Sequence, residues 1–351
     1  MGVSVLSRLF ATDLAVDLGT SNTLVFAQGH GLVLDEPSVV AIRDGAVLAA
    51  GRDAKSMIGR EPSAVQVTRP MKHGVIAEPD LAQKMLDDFL GRVRPSWARG
   101  RRPRVVVVVP SHSTPVEHRA VRDLALHAGA REAFLVPAAF AAALGAGLRI
   151  HEAGGHVIVV VGGGTTEVAL LSLSGIVHCE SVRAGGDDMD EAIVQWMRKH
   201  HNLLIGARQA EAIKLAIGSA HPVPRGRTVP VKGRDVIDGL PKTMTVADDE
   251  VADALRDGVR SIVDAVRTAL EHAPAEVAGD IVESGLVLAG GGALLPGLVE
   301  LLRAETDLPV TLAAEPLSAT ASGAGQLLDR MSVLERVAAE PRSARTAHSS
   351  H

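Results

Sequence analysis

Three glycine turns carry the residue types best suited to chemistry in this chain: Gly19-Thr20-Ser21-Asn22, Gly162-Gly163-Gly164-Thr165 and Gly290-Gly291-Gly292. A turn that lacks Cβ atoms lets backbone N–H groups come close to an oxyanion, so such turns suit phosphate. The third turn follows the apolar run Gly285 to Ala289 and precedes a helix expected from near Pro296. Strand, glycine turn and helix N-terminus together make an approach site for an anion or a nucleotide. Laying residues 17–23 on residues 160–166, a shift of 143, puts Gly19 on Gly162 and Thr23 on Thr166. A duplicated hairpin implies two similar domains facing each other across a cleft.

The elements that must hold these turns follow from periodicity. Strands are expected at Leu14 to Leu18 and Thr23 to Ala27, then at Leu32 to Leu34 and Ser38 to Ile42 with Pro37 between them. Residues 44–79 are mixed and polar, with a helical piece around Ala54 to Ile58, and read as a small subdomain. Leu81 to Val93 has helical spacing, and the five valines Val105 to Val109 have the pattern of a strand buried on both faces. Helices near Pro115 to Ala128 and Ala138 to Gly147 flank a strand near Ala133 to Val136. The design restarts at Val157 with a strand, the second turn, and a strand from Thr166 to Leu173. A helix capped by Asp187 runs to about His200, another spans Ala207 to Ile217, and a long one spans Asp248 to Glu271. The expected organisation is an α/β domain over 13–150, with its small subdomain at 44–79, and a second over 151–335, with a small subdomain at about 200–248. Residues 1–12 form a separate leader, and 336–351 a disordered tail with little to bury.

Composition removes other classes. The 351 residues, at roughly 150 per domain, allow about two domains, and 46% apolar residues supply a core for each. With 36 basic and 41 acidic residues the net charge of −5 gives no global attraction to nucleic acid. Five Phe, two Trp and no Tyr argue against base-stacking platforms. The single Cys179 can close no internal disulfide and fits a reducing compartment. Fourteen histidines show no His-Glu-x-x-His or paired ligand spacing, so no zinc site is expected, and His200-His201 ends a helix where cations are favourable. Ser111 and His112 are adjacent but lack the Gly-x-Ser-x-Gly elbow of a hydrolase, and Trp97 and Trp196 read as packing residues.

The segments Val16 to Thr23, Asp35 to Ile42, Arg69-Pro70-Met71-Lys72, Gly162 to Glu167, Gly185-Gly186-Asp187 and Gly290 to Leu295 together resemble the bacterial actins of the MreB and Mbl type, in the right order from about residue 10 to 335. The resemblance implies the actin/Hsp70 (ribonuclease H-like) fold, two duplicated α/β domains closing on ATP or ADP with Mg²⁺, and membrane-attached filaments that help direct cell-wall synthesis. It further implies that Gly19, Thr20, Ser21, Asn22 and Thr23 form the first phosphate hairpin. Gly162, Gly163, Gly164, Thr165 and Thr166 would grip from the opposite side, and Gly290, Gly291, Gly292 and Ala293 would lie against the adenosine. Glu211 and Lys214, one turn apart, would flank ribose and adenine, Asp187 would sit beside the phosphates, and Asp17 would hold Mg²⁺ through water. From spacing alone Glu211 and Lys214 also read as a surface ion pair.

Two positions depart from the family pattern. An acidic residue usually ends the leading strand of each hairpin; Asp17 serves the first, whereas Val160 stands 143 residues later. Where the family reads Ile-Glu-Glu-Pro, this chain reads Val136-Pro137-Ala138-Ala139, so the expected water-orienting glutamate falls on Ala138. Hydrolysis is therefore expected to be slow or absent unless Glu167 or Asp187 substitutes. A small-molecule kinase of the same fold is the rival reading; it needs an acidic base near the γ-phosphate, which these positions do not offer.

In the leader, Val3, Leu6 and Phe10 share a helical face, with Leu9 nearby and Arg8 available to anionic lipid, so an interfacial membrane helix is expected. Partners implied are further copies or a paralogous bacterial actin, the inner membrane surface and cell-wall elongation proteins, with no nucleic acid. The run Arg92, Arg94, Arg99, Arg101, Arg102 and Arg104 reads as a solvated basic loop or an anionic contact surface.

Overall fold

The computed structural model describes residues 13–93, 102–221 and 226–339. The expected membrane residues Val3, Leu6, Leu9 and Phe10, the arginines 94, 99 and 101, Trp97 and the tail beyond 339 lie outside the described residues.

Two five-stranded sheets share one plan. In the first, Glu132–Pro137, Arg104–Val109, Leu14–Leu18, Asn22–Ala27 and Gly31–Pro37 lie side by side in that order. In the second the order is Val310–Leu312, Leu286–Ala289, His156–Val161, Thr166–Ser172 and Gly175–Val182. Each is an antiparallel three-strand meander whose first strand is continued by two parallel strands. Parallel strands need crossovers, which the intervening helices supply. The runs Val105 to Val109 and Val157 to Val161 are buried along their whole length because helices cover both faces.

The two sheets are joined through a common apolar cluster that includes Ala15, Val106 and Val136 from the first and Ile158, Ala169 and Leu171 from the second. The helices Ala138–Gly145 and Ala319–Leu327 cross within it. A Cβ on Gly145 would fall 1.8 Å from Ala319 O and one on Gly323 1.8 Å from Ala141 O, so only glycine permits that crossing.

A three-stranded sheet made of Ala46–Ala50, Val40–Arg43 and Gln66–Thr68 projects beside the first large sheet, with the helix Arg52–Met57. Its central strand Val40–Arg43 overlaps the strand expected at Ser38 to Ile42, which lay outside the expected subdomain bounds of 44–79. The chain leaves the large sheet at Ser38, whose Oγ donates to Gly19 O at 2.7 Å and pins the exit. The counterpart sheet beside the second large sheet comprises Leu203–Leu204, Thr228–Asp235 and Pro241–Ala247. The last helix, Met331–Ala339, runs past the expected start of a disordered tail, since Leu334 is buried and Val333 and Val337 pack on the shared cluster. Among the described residues no helix is long and apolar enough to cross a membrane.

Candidate functional site

The duplicated hairpins match pair by pair. Leu18 opposes Thr23 and Asp17 opposes Leu24 in the first; Val161 opposes Thr166 and Val160 opposes Glu167 in the second. Their turns interlock where the lobes meet. A Cβ on Gly163 would sit 2.1 Å from Ser21 Oγ, and one on Gly164 2.8 Å from Thr20 Oγ1. The second turn therefore supplies the hollows that the first turn's side chains fill. Thr20 Oγ1 accepts from Gly74 N at 2.8 Å, and His73 Nδ1 lies 3.1 Å from Gly164 O. Ser21 Oγ donates to Asp187 Oδ1 at 2.8 Å, with Arg69 3.6 Å from the other oxygen.

A cavity of about 530 Å³ opens beside this contact. Of the residues singled out in the sequence, Asp17, Gly19, Thr20, Ser21, Asn22, Gly162, Gly163, Gly164, Thr165, Asp187, Glu211, Lys214, Gly290, Gly291 and Gly292 line it. Thr23, Thr166 and Ala293 do not. Both threonines are fully buried: Thr23 Oγ1 bonds Ser38 Oγ at 2.9 Å and Thr166 Oγ1 donates to Ala184 O at 2.5 Å. Ala293 belongs to the second lobe's core. These side chains fasten the hairpins and the third turn from behind.

The helix Gly186–His201 presents its N-terminus and the positive end of its dipole to the cavity, and its first N–H groups donate to the second turn, Gly186 N to Gly162 O at 3.0 Å and Asp187 N to Gly163 O at 2.8 Å. Its N-cap is Gly185, two residues earlier than the expected cap at Asp187, and Asp188 Oδ2 reaches back to accept from Gly185 N at 2.9 Å. That frees Asp187 to face the first hairpin. Glu211 and Lys214 are not paired with each other. Lys214 Nζ donates to Gly186 O at 2.6 Å and pairs with Asp190 at 2.8 Å, while Glu211 reaches Lys55 of the opposite small sheet's helix at 2.8 Å. Two ion pairs between lobes, Lys55–Glu211 and Arg69–Asp187, thus flank the cavity mouth.

Three carboxyls are shifted upward. Burial, followed by the nearby Glu167 charge, raises Asp17 from 3.8 to about 7. Burial also raises Glu167, against donors from Ser111: N–H at 3.0 Å and Oγ at 2.7 Å. Asp190 rises to about 6 through burial, opposed by Lys214. Asp17 and Glu167 come from opposite lobes, and the Glu167 charge makes ionisation of the buried Asp17 costlier, which is the electrostatic condition a divalent cation relieves. Asp190 and the Ser111 clamp were not singled out for this site from sequence. Asp190 carries no signal beyond its place one turn after Asp187, and Ser111 is brought to Glu167 only by the folding of the two sheets together.

The MreB/Mbl protein family matches this chain over residues 11–336. The cell shape-determining protein MreB of Escherichia coli (strain K12) is 48% identical over 327 residues, covering 92% of this chain and 94% of that protein. Mbl of Bacillus subtilis (strain 168), also a cell shape-determining protein, is 39% identical over 330 residues, covering 93% and 99%. The crystal structure of MreB 5 of Spiroplasma citri bound to AMPPNP superposes with a TM-score of 0.86 at 31% identity, covering 92% of this chain and 97% of that one. The chain belongs to the MreB/Mbl family. Its architecture is the actin-like two-domain fold.

Within the MreB/Mbl pattern the two departures both fall on the cavity wall: Val160 and Ala138 line it. Val160 is directly opposite Glu167 in the second hairpin, so a carboxyl remains in that lobe but on the neighbouring strand. Ala138 starts the helix Ala138–Gly145 and offers a methyl group at the position where the resemblance led to the expectation of a water-orienting glutamate.

Proposed function

We propose that this protein is a nucleotide-binding, filament-forming cell-shape protein of the cytoplasm, acting at the inner face of the membrane, with weak or lost ATP hydrolysis. The observation that carries this reading is the interlocked pair of glycine hairpins, one from each lobe, set beside a helix N-terminus in a single cavity. Backbone N–H groups of residues 19–22 and 163–165, with the positive dipole end of Gly186–His201, suit a polyphosphate. Lys214 and Glu211 line the wall beyond them, and Gly290 to Gly292 leave a Cβ-free face for a flat ring system. Nucleotide would hold the lobes in one closure by binding both.

The two buried carboxyls fit Mg²⁺. Asp17, and Glu167 through Ser111-oriented oxygens, would hold the ion, which supplies charge neutralisation at the phosphates. With Val160 and Ala138 in place, the chain lacks the family's groups for orienting water, and loss of such a base costs about 10²- to 10⁴-fold. Assembly with itself or with a paralogous bacterial actin, and contact with cell-wall elongation proteins, follow from family membership. Membrane attachment rests on the amphipathic leader, where weak single helices gain avidity along a polymer.

Sedimentation and electron microscopy of purified protein with ATP, ADP and Mg²⁺, alongside equilibrium dialysis of the nucleotide, test the reading. Saturable binding with nucleotide-dependent polymer is expected; failure to bind either nucleotide refutes it. Removal of residues 2–10 is expected to abolish co-sedimentation of polymer with anionic liposomes, and unchanged pelleting counts against the anchor.

A further inference from the structure

Outside the cleft, tertiary structure gathers a set of side chains that no sequence spacing announces. His178 and Glu180 alternate on the outermost strand of the second sheet, Gly175–Val182, so they project from one face. His272 ends the helix Asp248–Glu271, which packs on that strand. The two imidazoles stack with centroids 4.5 Å apart and planes at 5°. His178 Nε2 lies 2.8 Å from Glu180 Oε1, and one donor atom from each of the three residues falls within 4.8 Å of the others.

The proton arrangement favours ligation. His272 Nδ1 is 2.7 Å from Thr268 O, and a carbonyl only accepts, so that nitrogen carries the proton and Nε2 holds a free lone pair. An imidazole that donates its second nitrogen to a backbone carbonyl is the arrangement found at metal-bound histidines. Independently, the 24-residue helix has no basic residue in its last turn, so the negative end of its dipole is not offset by a Lys or Arg side chain there. A cation at His272 would complement it.

We propose that His178, Glu180 and His272 form a binding site for a borderline divalent transition ion, of the Zn²⁺, Co²⁺ or Ni²⁺ class. Two imidazoles and one carboxylate select such ions over Mg²⁺ and Ca²⁺, which prefer all-oxygen shells. His178 binds the ion through Nε2 as the Nδ1–H tautomer, a proton that sits on Nε2 in the Glu180 contact passing to Nδ1 or to solvent, and water completes the coordination. Donor atoms around a tetrahedral ion at ~2.0–2.2 Å stand roughly 3.4 Å apart. The widest separation, up to 4.8 Å, therefore closes by up to about 1.4 Å while the His178–Glu180 contact opens from 2.8 Å by about 0.6 Å, movements open to an exposed ring at a helix end. Binding ties the outer strand to the end of the long helix.

The test uses the full chain without a histidine tag, in excess Mg²⁺. Equilibrium dialysis with Zn²⁺ and visible spectroscopy with Co²⁺ are expected to give one saturable ion per chain, with a ligand-field band and a raised melting temperature. His178→Ala and His272→Gln, each confirmed folded by circular dichroism, should weaken binding by at least about 10- to 100-fold. His127→Ala should leave it unchanged: His127 makes the same helix-end bond, Nδ1 to Asp123 O at 2.7 Å, but is in no cluster of possible ligands among the described residues. Absence of saturable binding, or binding indifferent to His178 and His272, overturns the proposal.

Discussion

The two hairpins are copies in register and opposites in chemistry. The first brings side chains to the junction, Thr20 and Ser21, and ends its leading strand with Asp17; the second brings hollows, Gly163 and Gly164, and ends its leading strand with Val160. Its carboxyl, Glu167, has a place on the return strand instead, clamped by Ser111. Duplication preserves a backbone that presents N–H groups from both sides. It leaves each copy free to lose what the other still supplies. Steric fit therefore demands asymmetry at the turn, since two copies bearing side chains could not close on each other.

The largest effect is expected from restoring symmetry of charge. Val160→Asp combined with Ala138→Glu should raise steady-state phosphate release by about 10²- to 10⁴-fold, the usual contribution of a positioned base; an unchanged rate would show that the two positions do not limit hydrolysis. Next is symmetry of shape. Gly163→Ala places a carbon against Ser21 Oγ, and overpacking of about 1–3 kcal/mol should weaken nucleotide binding about 10- to 100-fold in a fluorescence titration. Adding Ser21→Gly should recover most of that loss, and failure to do so would argue against the interlock.

The charge contrast also has a pH signature. Asp17 keeps its proton in the folded chain up to about 7, whereas the unfolded chain loses it near 3.8. The folded state then binds more protons across that window, so with a chelator present the melting temperature should fall as pH rises from about 4 to about 7. Asp17→Asn should flatten the decline, and a wild-type melting temperature that rises over the same range would refute the assignment. The smallest effect belongs to the mouth. Lys55 and Glu211 are 28% and 30% exposed, so Lys55→Ala should speed nucleotide release only a few-fold, in line with about 0.2–1 kcal/mol for an exposed pair.

Much of this was legible beforehand. The valine runs, the glycine turns and the 143-residue offset announced two sheets of one plan, because strand burial and turn geometry are written in local residue type. Val160 was legible because a position in a repeat can be checked against its twin, Asp17, whereas Ala138 stood out only against the pattern of the bacterial actins the chain resembles. The helix cap was misplaced at Asp187, since Gly185 has no side chain to signal a cap and Asp188 does the work from within. Thr23 and Thr166 were expected at the cavity because they flank the turns. Their hydroxyls instead bond inward to Ser38 and Ala184, partners that the linear order does not bring near.

Amino-acid order was enough to specify the strands, the turns that can admit an anion and the two missing carboxyls, all properties of residue type within a short span. Folding alone set which polar groups meet: Lys55 with Glu211, Lys214 with Asp190, Ser111 with Glu167, and the ring of His178 with that of His272. Electrostatic and hydrogen-bond partners depend on separation in space over a few ångströms, and that separation is decided by how two lobes and a long helix pack.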